Sequence, residues 1–331
     1  MPVVESSRAG TAARLRCFAR RRQGLLTVFG SLITTAVLVL LLAGQRHEFT
    51  EALKSAPVSV IALTVLLQVI ALVSRSEAWH LTIEAAGGKI ERRVLYRASS
   101  MQVLGGLLNS HLGVAARIAA LRRSSPDVCP QVPTLVAAEF PILAVEAMLA
   151  AVASFTLVAP LGLPWWLPII GLVVVGAASV GLRRLALQRG RKLWQGLAVL
   201  RSLRGGSRVI GFVLIAVFAQ ILRNWLLLHA VGVDASVLDA TAVLIGLVTL
   251  GQLPVGPAVG AAAAVLILGS DGVAAAAAAG VLMTVTGTLG GFCFAAWAGA
   301  DHLRSALISK RTIRRLRARP KKASPSAIVP E

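Results

Sequence analysis

Groups able to carry ordinary enzyme chemistry are scarce in this chain. Cysteine occurs three times, as Cys17, Cys129 and Cys293, at spacings that suit neither a disulfide framework nor a metal site. No hydrolase triad, metal-ligand cluster or nucleotide-binding loop can be traced. No cofactor or metal is therefore expected, and soluble-enzyme classes are set aside. Acids are also few, with 14 Asp and Glu against 34 Lys and Arg, for a net charge of +20. In a soluble chain such a balance would point to nucleic acid. Here 56% of the residues are hydrophobic and mean hydropathy is +0.77, which defines a polytopic membrane protein. Its basic residues fall between the apolar runs, as the positive-inside rule requires, so no nucleic-acid partner is expected. Abundant Ala and an excess of Arg over Lys suggest a GC-rich bacterial genome.

The stretch 238–272 organises the rest. Its apolar run is broken by Pro254-Val255-Gly256-Pro257, and neither arm reaches the ~20 residues that cross a ~30 Å hydrocarbon core. Prolines with flanking glycines end one helix and start another. Unwound backbone at membrane depth survives only within protein or beside a water-filled cavity. The break thus suggests the tip of a re-entrant hairpin, with a proline-kinked ordinary span as the alternative.

In chain order, a basic leader (1–24) precedes an apolar run, 25–44, too long for a signal core. A second span is expected at about 57–74, then a basic amphipathic stretch, 75–97. Residues 98–121 are span-length but contain Gly105-Gly106, Asn109, His111, Gly113 and Arg117, a second candidate break. Apolar runs follow at 132–158, to about 182, at 209–231 and at 273–299. A basic loop lies at 183–208, and a basic tail (300–331) is expected to be disordered.

Charge decides between the possible span counts. If both broken segments crossed fully, the loop 183–208 would lie opposite the basic leader. If both are re-entrant, six full spans remain. All Lys and Arg but Arg46, Lys54 and Arg223 then share one face, the cytoplasmic one. The expected fold is therefore an all-α polytopic membrane protein with six full spans plus two re-entrant helical hairpins. The two halves, repeat one at 25–158 and repeat two at 165–299, would form an inverted-topology repeat. Both termini would be cytoplasmic, in the inner (cytoplasmic) membrane of a bacterium. Gln68 and Gln220 occupy similar points of the second span in each half.

Residues 108–117, Leu-Asn-Ser-His-Leu-Gly-Val-Ala-Ala-Arg, follow the spacing of a motif L-P-x-R-x-G-[DE]-x-x-R. Leu108, Gly113 and Arg117 match; Asn109, His111 and Val114 replace the Pro, the Arg and the acid. Glu139 stands where that pattern has a Glu early in the next span. A second motif, P-x-P-G-G-x-G-x-x-E, is matched loosely at Pro254, Pro257 and Gly260, and its Glu is Ala263 here. Trp79 keeps the Trp of an Arg-Trp signature. With these motifs, residues 25–300 resemble the flippase-like transmembrane region of lysylphosphatidylglycerol synthases and its stand-alone relatives. The resemblance implies a lipid substrate. On that resemblance, no cytosolic synthase domain like that of the bifunctional members is expected here.

Candidate substrate-path residues are Asn109, His111, Gly113, Arg117, Glu139, Glu146, Arg223, Pro254, Gly256, Pro257 and Gly260. Glu139 and Glu146 lie seven apart, hence on one helix face, and ionisable residues inside a membrane often mark a pathway. Arg223 shares a face with Gln220 and Asn224, and is expected to pair with one of those glutamates. Arg117 is expected either to hold a phosphate or to snorkel to the surface. The expected function is movement of a lipid or lipid-linked headgroup, anionic by preference, between leaflets. The alternatives are an accessory or scaffold protein without transport, alone or with a partner enzyme or in a homo-oligomer, and a lipid-modifying enzyme using Glu139 as base.

Overall fold

The computed structural model describes residues 43–106, 110–125, 129–187, 197–200, 202–251, 259–269 and 272–317, with the isolated positions 36 and 40. It describes their side chains except at 110, 111, 186, 203 and 301–317. The expected first span, 25–44, lies almost wholly outside these residues, as do Asn109, Pro254, Gly256 and Pro257.

All secondary structure among the described residues is helical. In chain order the helices are α1 (Arg46–Ser55), α2 (Val58–Ala85), α3 (Arg92–Gly106), α4 (Ser110–Ser124), α5 (Val132–Ala137), α6 (Phe140–Ala153), α7 (Val158–Leu161), α8 (Trp166–Leu187), α9 (Leu203–Ala230), α10 (Val237–Leu250), α11 (Val259–Leu268) and α12 (Val273–Arg317). Among the described residues, five stretches are long and apolar enough to cross a membrane: Val58–Ala85, Val132–Leu161, Trp166–Leu185, Arg204–Ala230 and Val273–Ala300. These coincide with the later five of the six expected spans, as a helical membrane protein requires.

Long helices α2 and α9 form the most extensive contact in the structure, and they run antiparallel. Ser55, just before α2, donates its hydroxyl to the Ala230 carbonyl at the end of α9. Half-way along, Gln220 Nε2 donates to Gln68 Oε1 at 2.9 Å, and Leu67, Ala71, Ala216 and Ala219 pack together around that crossing. Both helices stop in the same way. Gly87 (φ 90°) and Gly232 (φ 83°) take left-handed conformations that side chains disfavour. The N–H of the residue after each glycine then bonds a carbonyl five residues back, Gly88 to Ile83 and Val233 to Leu228, both at 3.0 Å; this cap satisfies carbonyls that the helix end would leave bare.

A short helix pair sits at each end of this α2–α9 axis. At one end α3 and α4 pack on each other; Leu95, Ala98, Ile118 and Leu121 join Trp79 and Ile83 of α2 and Val209 and Val213 of α9 in one core. At the other end α10 and α11 pair, and their Ala240, Val243, Ala264 and Ile267 join Leu227 and Leu228 of α9. The two pairs have helices of 15 and 15 residues and of 14 and 10 residues. At ~1.5 Å per residue none exceeds about 23 Å, short of a ~30 Å core. Serine starts α10: Ser236 Oγ accepts from the Asp239 N–H while Asp239 Oδ2 accepts from the Ser236 N–H, a reciprocal cap.

Helix α12 is the inner helix. In its apolar window 56% of the residues are buried, against 6% for Trp166–Leu185, which therefore lies at the outer rim of the described helices. Small residues let α12 approach its neighbours closely. A Cβ on Gly280 would collide with the backbone of Gly260 and Ala261 in α11, and one on Gly291 would meet Val103 of α3.

Element bounds depart from expectation in three places. The second span does not end at 74, because α2 continues to Ala85 and carries Arg75, Glu77 and Trp79 inward. Residues 301–317, expected to be disordered, continue α12 as helix to Arg317; Ala, Leu, Arg and Lys are good helix formers. The loop 183–208 is entered by helix from both sides, and its Leu197 and Val199 are buried.

Candidate functional site

The charged residues among the predicted site residues, Arg117, Glu139, Glu146 and Arg223, divide between two polar clusters, both threaded by α2. Its Gln68, Arg75 and Trp79 lie at i, i+7 and i+11, one stripe of a helix with 3.6 residues per turn. Gln68 is ten residues from the start of α2 and Gln220 ten from the end of α9, each about 15 Å along its helix. That is half the depth of a ~30 Å hydrocarbon core. Trp79 lies about 16 Å further along α2.

The first cluster is built on a break in the second described span, Val132–Leu161. Pro141 has no N–H, so the Ala137 carbonyl loses its donor four residues on. The chain turns at Ala138–Glu139, where the Glu139 N–H bonds Val136, three residues back, at 3.1 Å. That turn aims Glu139 (8% exposed) at Arg117 of α4 (1% exposed), and the two form an ion pair. The guanidinium carbon of Arg117 lies 3.7 Å from the ring centroid of fully buried Trp79, an arrangement in which the ring face attracts the cation. Arg117 therefore does not snorkel to the surface. Its Nε is buried without a hydrogen-bond partner. Beside this pair, Arg75 Nη2 donates to Glu146 Oε2 at 3.0 Å.

The second cluster lies at the α2–α9 crossing. Arg223 (5% exposed) donates from Nη1 to Gln68 Oε1, which also accepts from Gln220. Its Nη2 lies 3.4 Å from Asn224 Oδ1. Gly287 of α12 faces the guanidinium, where a Cβ would stand a tight 3.3 Å from Arg223 Nη1, and Gly290 faces Gln68 without room for a side chain.

The expected pairing of Arg223 with Glu139 or Glu146 is thus corrected: both glutamates are taken by Arg117 and Arg75. Glu139 and Glu146 do both face inward, but the two arginines that meet them come from different helices. Gly113 and Gly260 lie at close backbone contacts, Gly113 against Gln102 and Gly106 of α3, Gly260 against Gly280 of α12. His111 lies in the first turn of α4, its side chain outside the described residues.

One partner and one further network escape the sequence reading. Arg75 reads as a surface charge of the amphipathic stretch, and only the spacing Gln68–Arg75–Trp79 betrays its inward face. A smaller network joins Glu77, Tyr96 and Arg92: the Tyr96 hydroxyl donates to Glu77 and Arg92 Nε lies 3.7 Å from it. Burial, then the Glu77 carboxylate, pushes the Tyr96 phenol above its usual pKa. Among the described residues, no group of three or more His, Cys, Asp or Glu is placed to hold a metal ion.

Comparison of the chain with family models, characterised proteins and solved structures found no match.

Proposed function

We propose that this protein moves the anionic headgroup of a membrane lipid, or of a lipid-linked intermediate, between the two leaflets. The observation that carries this reading is the pair of short helical hairpins at opposite ends of the antiparallel α2–α9 axis, with polar and cationic side chains buried along it. Helices too short to span, meeting from opposite sides near mid-depth, are how secondary transporters build their sites. On this reading α3–α4 and α10–α11 are re-entrant, and the chain is an inverted-topology repeat of six spans. The Gln68–Gln220 contact then lies near the pseudo-twofold axis. The basic loops face the cytoplasm, in the inner membrane of a bacterium. The resemblance to the flippase-like region of lysylphosphatidylglycerol synthases agrees with this substrate class.

The test is headgroup flipping of fluorescent lipids in vesicles reconstituted with the purified protein. Flipping of an anionic, aminoacylated or polyprenyl-linked lipid faster than in protein-free vesicles is expected. The Arg117→Gln/Glu139→Gln double variant, which keeps the charge balance, should be slower by about tenfold or more, the loss of one charged contact. The scaffold reading draws on the internal pairing of Arg117 with Glu139 and Arg75 with Glu146, which leaves neither pair waiting for a ligand. A wild type inert toward all three lipid classes would establish that reading instead.

A further inference from the structure

The two clusters differ in charge. Arg117 and Arg75 each have a carboxylate, and Arg92 lies beside Glu77. Arg223 has none among the described residues; its recorded partners are the neutral amide oxygens of Gln68 and Asn224. A cation buried without an anion is among the costlier arrangements in a low-dielectric interior. Here donors are in surplus too. Arg223 Nε and Asn224 Nδ2 are both buried without a hydrogen-bond partner, with Asn224 fully buried. Gln68 Oε1 already accepts from two donors. The cluster thus holds one net positive charge and at least two idle N–H groups.

We propose that Arg223, with Asn224 and the Gln68–Gln220 pair, forms a mid-depth binding site for a phosphate-class oxyanion. An oxyanion supplies what the cluster lacks: a negative charge and several acceptor lone pairs. A guanidinium, with its five N–H donors in a planar fork, suits phosphate geometry. Gln68 and Gln220 are only half-buried, so their edge of the cluster is the way in. The glycines at 287 and 290 keep the opposite side filled by helix backbone rather than by a competing side chain. If the transport reading is right, this site is the intermediate station for a headgroup half-way through the membrane, and the inference rests on that reading for its role but not for its chemistry.

The experiment measures thermal stability of the purified full chain in neutral detergent against rising concentrations of three probes: dioctanoyl phosphatidylglycerol, inorganic phosphate, and dioctanoylglycerol, which has no phosphate. Saturable stabilisation by phosphatidylglycerol and none by dioctanoylglycerol is expected. An accompanying response to inorganic phosphate would identify the site as one for free phosphate as well as for a lipid headgroup. In Arg223→Gln the apparent Kd should rise by about tenfold or more, the loss of a charge-assisted hydrogen bond. Arg223→Lys, which keeps the charge but not the fork, should fall between. If Arg223→Gln cannot be recovered folded, Asn224→Ala, which removes one idle donor, should weaken binding severalfold. No stabilisation by either phosphate probe, or the same Kd in wild type and variants, overturns the proposal. Binding in a protein inert in vesicles keeps the site and removes only transport; flipping with no Arg223-dependent binding removes the site alone.

Discussion

At the scale of single residues, the arrangement of Arg117, Glu139 and Trp79 is the one with most at stake. Two charges taken out of water attract strongly only because each has the other. Removing one partner strands the remaining charge, at a cost of about 3–5 kcal/mol, whereas removing both is often close to neutral. Arg117→Gln and Glu139→Gln should therefore each lower the unfolding temperature in detergent sharply, and the double variant should recover much of the loss. Thermal unfolding of the four proteins of the cycle checks this. Additive effects would mean that the two groups are held by separate surroundings. A control cycle on Arg75 and Glu146, whose side chains are 40% and 25% exposed, should give a smaller coupling because water screens it.

At the scale of elements, close helix contact is set by glycine, and the positions are not equivalent. In α4 a Cβ on Gly113 would stand 2.6 Å from the Gln102 carbonyl oxygen and 3.0 Å from the Gly106 nitrogen. Gly113→Ala should therefore force α3 and α4 apart and destabilise by about 1–3 kcal/mol. Gly211 in α9 has nothing within 4 Å of such a Cβ, so Gly211→Ala should stabilise by about 0.5–1 kcal/mol by removing backbone freedom from the unfolded chain. Opposite signs in thermal unfolding are expected; a neutral Gly113→Ala would show that the pair is looser than described. Here the limits of the sequence are visible. Apolar runs and charge-rich loops place the described spans, because burial in lipid is read directly from hydropathy. The break at Glu139 is not legible in the sequence, although Pro141 marks it, because a proline early in an apolar run also reads as an ordinary helix start. Arg117 reads in the sequence either as a phosphate ligand or as a snorkelling cation, since hydropathy fixes depth only to within a turn or two. The expected partner of Arg223 differs from the observed one for a related reason: which face of α9 meets α2 depends on helix rotation, which charge counting does not contain.

At the scale of the molecule, the antiparallel α2–α9 axis makes a single prediction about sidedness. Ser55 meets Ala230 at one end, while Ile83, Ile90 and Val199 share a core at the other. If the chain spans the bilayer along this axis, residues near 54 and 234 face one side, and residues near 89, 129 and 190 face the other. The positive-inside rule assigns the second set to the cytoplasm, since Lys89, Arg92, Arg93, Arg189, Arg191 and Lys192 all belong to it. Single cysteines at 54, 89, 190 and 234, and native Cys129, each in a background free of other cysteines, can be challenged with an impermeant thiol reagent on intact cells and after permeabilisation. Labelling from outside is expected at 54 and 234 alone, and at 89, 129 and 190 only once the membrane is opened. Position 129 is the sharpest of these. It follows the α3–α4 pair, so its side reports whether that pair returns to the face it entered from. Outside labelling of Cys129 would make α3–α4 a full crossing, reverse every later span, and put the basic loop 183–208 on the outer face against the charge rule. Inside labelling at 129, together with outside labelling at 234, leaves the re-entrant arrangement as the one that satisfies both the helix lengths and the charges.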